Sequence, residues 1–379
     1  MKRLVLIVAS AFMFFSCTEN GIQKKVRIGV FEPMTGVNSA GGLLELEGVR
    51  LANALYPKVS VGDKTYGVEL VIVDNKSDKS EAINAAKRLT EQENVSVILG
   101  SYGSSLSIAA GQTILEGRVP AIGLSCTNPL VTQGNPYYFR VAFIDPFQGM
   151  AMARYAVNNL KAKKAVLLRE VSNDYSVGLV KFFADEFRKL SHDDQAISAI
   201  FGYYTGDEDF SQQISEIKVR NPDVIFAPGN YTESALIMKQ ARAAGITAPF
   251  LGGDTWETSQ FIEVGEDAVE GCVFSTFFAP EGVSSDLQKT FLKEYDVQYH
   301  KEPSADAALG FDAYRLALNA IERAASLDTE KIRDALAATV DFKGVAGNIT
   351  LDENGDATKS AFIKTVKDGK FTYLTTVNP

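Results

Sequence analysis

Apolar runs of five to seven residues alternate with longer stretches of helical spacing along most of this 379-residue chain. Parallel sheets wrapped by helices impose that alternation. Val26–Phe31, Val68–Asp74, Val95–Leu99, Val119–Leu124, Lys164–Arg169, Ile197–Tyr203, Asp223–Ala227, Phe250–Gly252 and Cys272–Phe277 read as strands. Leu43–Leu55, Lys79–Glu93, Ser105–Leu115, Val177–Leu190 and Thr232–Ala244 read as helices between them. Asp145-Pro146 marks a further helix start, since the Asp side chain can cap free backbone N–H groups and proline sacrifices no hydrogen bond at the first helical position. Phe311, Tyr314, Leu318, Ile321 and Ala325 recur on one face at helical spacing, which predicts a core-facing helix rather than a cofactor-binding stripe.

The segments around 25–140 and 164–275 each form a complete βα series, with no Gly/Ser or Pro linker between them. The predicted fold is therefore α/β, two doubly wound parallel-sheet lobes joined by short crossings, a geometry that lets a cleft open and close as a hinge. Asn348–Asp352, Phe362–Val366 and Phe371–Thr375 read as antiparallel strands joined by glycine turns.

At the N-terminus, Lys2-Arg3 precedes an apolar run from Leu4 to Phe15, then Ser16-Cys17. About a dozen apolar residues cannot span roughly 30 Å of hydrocarbon as a helix, so residues 1–16 read as a removable export signal. The small residue before Cys17 and the polar Thr18-Glu19-Asn20-Gly21 after it resemble a bacterial lipoprotein cleavage site, with Cys17 the lipidated residue. Ordinary secretion, with Cys17 inside the discarded peptide, is the alternative. Roughly 360 residues remain, enough for two domains. Without Lys2 and Arg3 the formal charge moves from −9 to −11. So acidic a body argues against nucleic acid or anionic lipid as partner. Cys126 and Cys272 are too far apart for a disulfide framework or a metal-ligand spacing, and read as inert free thiols.

Catalytic chemistry finds little material. His192 and His300 are the only histidines, both in polar stretches, which leaves no histidine triad or metal cluster. Gly36 and Gly41 have phosphate-loop spacing, but Gly42-Leu43 stand where Lys and Ser/Thr are needed, and no GxGxxG follows a predicted strand. Asp352-Glu353-Asn354-Gly355-Asp356 has its glycine too early for a calcium loop and lacks the closing Glu, so it reads as a turn. No enzyme, cofactor or metal is expected.

Three polar clusters fall at C-terminal ends of predicted strands, where open α/β sheets bind ligands. Gly100-Ser101-Tyr102-Gly103-Ser104-Ser105 opens a helix, and its hydroxyls and N-terminal N–H groups suit a carboxylate. Ser125-Cys126-Thr127-Asn128-Pro129 follows the neighbouring strand. Gly253-Asp254-Thr255-Trp256 sets one carboxylate beside the only tryptophan, so that Asp254 can hold an ammonium and Trp256 pack an apolar side chain. Asn173-Asp174-Tyr175 and Gly229-Asn230-Tyr231 bring two tyrosines to the same edge. Together these groups describe a cleft for a zwitterionic amino acid.

From Lys25 to about Tyr373 the chain resembles the leucine/isoleucine/valine-type, class I periplasmic binding proteins of ABC importers. The resemblance rests on Ile28-Gly29-Val30 with Pro33-Met34-Thr35-Gly36, Glu47-Gly48 with Leu51-Ala52, Asp74 with Ala82 and Ala86, and Gly100 with Ser104-Ser105. It continues through Asp174-Tyr175 with Gly178, Phe210-Ser211, and Gln240-Ala241-Arg242 with Gly245. It implies a type I periplasmic binding fold with a three-crossover hinge: an N-terminal lobe of 25–144 plus 278–350 and a C-terminal lobe of 145–277 plus 351–379.

By the family pattern, Ser104 and Thr127 meet the ligand's α-carboxylate. The Ser125 carbonyl, the Thr127 hydroxyl and Asp254 meet its ammonium, and Tyr175 and Tyr231 close from the second lobe, with Asn230 a rival to Tyr231. Where the family often has an aromatic, this chain has Gly41-Gly42, which implies a wider pocket walled by Tyr102 or Trp256. The resemblance further implies a monomer, lipid-anchored in the cell envelope, that delivers an amino acid to an ABC permease. A ligand-sensing receptor subunit signalling to a chemoreceptor or kinase is the alternative.

Overall fold

The computed structural model describes residues 25–282 and 284–379. The signal segment and Cys17 lie outside the described residues. Six strands form the first sheet: β1 (Val26–Glu32), β2 (Lys58–Val61), β3 (Lys64–Asp74), β4 (Val97–Leu99), β5 (Ala121–Gly123) and β6 (Tyr138–Arg140), in the order β2-β3-β1-β4-β5-β6. Seven form the second: β7 (Ala165–Glu170), β8 (Ile197–Tyr203), β9 (Val224–Phe226), β10 (Phe250–Gly252), β11 (Val273–Thr276), β12 (Ala361–Lys367) and β13 (Lys370–Val377), in the order β13-β12-β11-β10-β9-β7-β8. Pairing is parallel in both sheets except for the β2–β3 hairpin and the β11–β12–β13 edge. All nine strands expected from the apolar runs are present.

The chain passes between the sheets three times. It leaves the first after β6 and returns after β11 through the helices Asp286–Tyr299 and Ala305–Ala324. It crosses a last time to supply β12 and β13. Phe311, Tyr314, Leu318 and Ile321 face the first lobe's core as their spacing predicts, and Ala325 ends that helix in a left-handed conformation. Two expectations fail locally. Asn348–Asp352 forms only isolated bridges, Phe342 to Ile349 and Leu351 to Ala357, in place of a strand. The helix Asp145–Asn158 is preceded by Ile144 with no side-chain cap; Asp145 turns inward to a fully buried site instead of capping.

The helices Ser39–Leu55 and Ala305–Ala324 pack with almost no separation. A Cβ on Gly310 would lie 2.1 Å from the Glu45 carbonyl oxygen, and one on Gly48 would lie 1.9 Å from the Ala307 carbonyl oxygen. Backbone cannot yield there as a flexible side chain can, so Gly310→Ala is expected to cost about 2–3 kcal/mol through overpacking. Denaturant unfolding checks this; an unchanged midpoint would refute the close-contact reading.

Candidate functional site

The loops that follow β4, β5, β7, β9 and β10 converge from the two sheets on one closed cleft of about 100 Å³. Local capping aims several of its side chains. Asn173 caps the helix Asp174–Ser191 by accepting the Tyr175 N–H at 3.1 Å, which sets Tyr175 in the first turn facing the cleft. Tyr175 Oη then donates to Asp254 Oδ1 at 3.0 Å, and Gln148 Nε2 donates to the same oxygen at 2.6 Å. Gly253 makes this approach possible, because a Cβ there would sit 2.0 Å from Tyr175 Oη. Among the described residues no other side chain donates to Asp254 Oδ2.

Ser104 opens the helix Ser104–Gly117, and its Oγ accepts the Asn128 N–H at 3.1 Å, which ties the loop after β4 to the loop after β5. A hydroxyl that accepts still has a proton to donate. Ser125 lines the cleft, its N–H held by Glu45 Oε1 at 2.9 Å.

Of the residues singled out from sequence, Ser104, Ser125, Tyr175, Asp254 and Tyr102 line the cleft. Three do not. Thr127 is fully buried directly behind it, its carbonyl accepting the Asp145 N–H at 3.0 Å. Tyr231 reaches across instead, its hydroxyl donating to the Val37 carbonyl of the first lobe at 2.9 Å, while its neighbour Asn230 takes the lining position. Trp256 belongs to the second lobe's core, stacked on Phe261 with ring centroids 5.1 Å apart and fully buried. The tight turn Asp254–Trp256 separates the two: the carboxylate faces the cleft and the indole packs over Gly252, where a Cβ would lie 2.2 Å from the ring.

Tyr102 takes the space that Gly41 leaves, with a hypothetical Gly41 Cβ only 2.1 Å from its ring. The absence of an aromatic at 41–42 therefore does not widen the pocket, because an aromatic from the loop after β4 occupies the same volume.

Glu170, unnoticed in the sequence, ends β7 inside the cleft. It accepts from Asn230 N at 3.0 Å, Asn230 Nδ2 at 3.1 Å, Asn173 Nδ2 at 3.0 Å and the Thr205 hydroxyl. Strand parity carried the signal: Arg169 points outward and Glu170 inward. The lobes also meet through Asp174, whose Oδ2 accepts from Lys79 Nζ at 2.9 Å and Ser105 Oγ at 2.8 Å, and whose carbonyl accepts from Asn128 Nδ2 at 2.7 Å. These contacts describe a closed cleft. A wider groove of about 690 Å³, floored by Leu43, Leu44 and Phe371, takes no residue from the loops after β4, β5 or β7.

Burial pushes the Asp254 carboxyl up to about 6, against the pull of its Gln148 and Tyr175 hydrogen bonds. Asp145, buried beside the Thr127 hydroxyl and repelled by Asp254, is pushed up to about 8. Burial likewise raises the Cys126 and Cys272 thiols to about 11 and about 12, and both are free. Because the folded Asp254 carboxyl holds its proton to higher pH than the unfolded one, the ligand-free protein gains stability as pH falls from about 6 toward 4. Affinity for an ammonium ligand moves oppositely and declines through the same window, as the carboxylate is neutralised. Calorimetry at pH 5 and pH 7.5 checks the sign; equal affinities at the two pH values would remove Asp254 from the ammonium contact.

Among the described residues, no His, Cys, Asp and Glu cluster is placed to hold a metal, and no helix is long and apolar enough to cross a membrane. A leucine binding protein from Thermotoga maritima superposes with a TM-score of 0.89 at 44% identity, over 93% of this chain and 99% of that one. The substrate binding protein of a branched-chain amino acid transporter from Streptococcus pneumoniae, solved with isoleucine, gives 0.85 at 32% identity, over 94% and 100%. A leucine-, isoleucine-, valine-, threonine- and alanine-binding protein of Pseudomonas aeruginosa is 27% identical over 87% of both chains. The family model described as periplasmic binding protein matches residues 25–370. With the two-lobed fold and its closed cleft, these likenesses establish that the chain belongs to the periplasmic binding protein family.

Proposed function

We propose that this protein captures an aliphatic amino acid between its lobes and delivers it to an ABC-type permease. The observation that carries the reading is the opposition across one small cleft of Asp254, whose described side-chain donors all sit on Oδ1, and the N-terminus of the helix Ser104–Gly117. An ammonium pairs with the first and a carboxylate with the second. In this reading Ser104 and the N-terminal N–H groups of its helix meet the carboxylate. Asp254 and the Ser125 carbonyl meet the ammonium, and the Thr127 hydroxyl, buried behind the cleft, would reach it only if its side chain turns from Asp145.

Tyr102 and Tyr175 enclose the side chain, and Asn230 with Tyr231 closes the second lobe. About 100 Å³, shared by the ligand's two charged groups and its side chain, favours a small aliphatic side chain over tyrosine or tryptophan. The leucine- and isoleucine-binding relatives favour the same class, and favour transport over sensing. The protein is a non-catalytic solute-binding component. It works outside the cytoplasm as a monomer, held to the membrane by lipid on Cys17.

Ligand docks on the first lobe, the second rotates over it, and closure is favoured only by the ligand's extra affinity for the closed state. A thermal-shift screen of protein beginning after Cys17, against the twenty amino acids, tests the reading. Leucine, isoleucine or valine at a hundred times its dissociation constant is expected to add about 2.7 kcal/mol of stability and raise Tm accordingly. No shift with any amino acid overturns it.

A further inference from the structure

Behind the cleft, inside the first lobe, lie two carboxyls that touch no ligand position. Glu32 is the last residue of β1, Glu45 lies on the helix Ser39–Leu55, and both are fully buried. Glu32 Oε2 accepts the Tyr102 N–H at 2.6 Å, and Glu45 Oε1 accepts the Ser125 N–H at 2.9 Å. One carboxyl thus holds the loop after β4 and the other holds the loop after β5. The two carboxyls lie close enough to act on each other's titration, and each leaves one oxygen, Glu32 Oε1 and Glu45 Oε2, buried without a hydrogen-bond partner.

Among the described residues, the charged groups that act most strongly on the pair are acidic. Asp306, from the helix Ala305–Ala324, and the Cys126 thiol face the pair, and Asp254 and Glu257 lie beyond Asp306. The nearby cations are committed elsewhere: Arg140 pairs with Asp356 at 2.6 Å, and Lys364 pairs with Glu257 at 2.6 Å. Two ionised carboxylates side by side in such a site repel each other, with only one backbone N–H each to offset their desolvation. A single proton between them removes the repulsion and supplies the missing donor. Burial and mutual repulsion raise both groups well above the usual carboxyl range, in keeping with a proton retained at neutral pH.

We propose that Glu32 and Glu45 share one proton and act as a positioning pair, fixing the loops after β4 and β5 in register so that Ser104 and Ser125 meet the same ligand. The pair joins the loops from behind, as the Ser104–Asn128 hydrogen bond joins them at the cleft. The inference rests on the reading of the cleft as an amino-acid site, but its test separates the two.

Glu45→Gln keeps an acceptor for the Ser125 N–H and offers an N–H to Glu32, so it replaces the shared proton with a fixed donor. Glu45→Ala removes both bonds. In calorimetry with L-leucine, E45Q is expected within about threefold of the unaltered protein and E45A at least tenfold weaker. In ligand-free protein, amide exchange at Tyr102 and Ser125 accelerates in E45A and not in E45Q. Infrared spectra at neutral pH lose one protonated-carboxyl C=O band in E45Q. Tenfold weakening in E45Q would mean that charge rather than a proton is required, and would overturn the proposal even if E45A fails to fold. Unchanged affinity and exchange in E45A, or no lost band in E45Q, would overturn it as well. If the unaltered protein binds no amino acid, the amino-acid reading fails, while the exchange and infrared results still decide the pair.

Discussion

Replacing Asp254 by alanine is expected to weaken amino-acid binding at least a hundredfold. Removing one partner of a buried ion pair costs roughly 3–5 kcal/mol, because the other charge stays desolvated and unpaired, and each 1.4 kcal/mol is tenfold in the dissociation constant. The site fits that regime: Asp254 is 4% exposed, and its recorded partners, Gln148 and Tyr175, are neutral. Without a cation in place the same carboxylate is a burden on the fold, because burial disfavours its charged form and pushes it up to about 6. Ligand-free Asp254→Asn should therefore melt no lower than the unaltered protein. Calorimetry with L-leucine and ligand-free melting distinguish a binding residue from a structural one. Retained affinity in Asp254→Ala would refute the assignment, and loss of stability without loss of affinity would make the residue structural.

Arg140 carries the largest expected effect on stability. It ends β6 with no side-chain exposure, and its Nε lies 2.6 Å from Asp356 Oδ1. Its other nitrogens donate to the Cys126 carbonyl at 2.6 Å and the Thr132 hydroxyl at 2.8 Å. Asp356 lies in the last crossing between the lobes, so this guanidinium joins a ligand loop, the first sheet and the hinge. Arg140→Ala strands a carboxylate, a carbonyl and a hydroxyl in the interior, with an expected loss of about 3–5 kcal/mol in urea unfolding. Arg140→Met combined with Asp356→Leu should recover much of it, since an apolar pair leaves no charge to desolvate. A loss under about 1 kcal/mol in Arg140→Ala would show that water or rearrangement replaces the pair.

Legibility from sequence divided by the range of the interactions involved. β1 and β7 were plain because a buried parallel strand is a largely apolar run, and nothing distant is needed to see it. β6 was not, because Tyr138-Phe139-Arg140 carries a guanidinium that becomes a core group only once Asp356 arrives from 216 residues away. Asp145 reads as a helix cap by its neighbours, yet it is drawn inward beside Thr127. The five loops at strand ends were legible because their position follows from topology. Which side chain of each loop faces the cleft was less so: Asn230 rather than Tyr231, and Asp254 without Trp256.

The sequence by itself determined a two-lobed α/β chain with its polar loops at the strand ends, because short-range periodicity and turn chemistry suffice to set strands, helices and their order. Tertiary structure alone decided how those loops are used. Tyr102 fills the space above Gly41, Asp174 joins the lobes through Lys79 and Ser105, and Glu32 meets Glu45 behind the cleft. Each of these joins residues distant in the chain, and burial gives the contact its energy: the same carboxylates and hydroxyls would be ordinary solvated groups until the two sheets brought them together and excluded water.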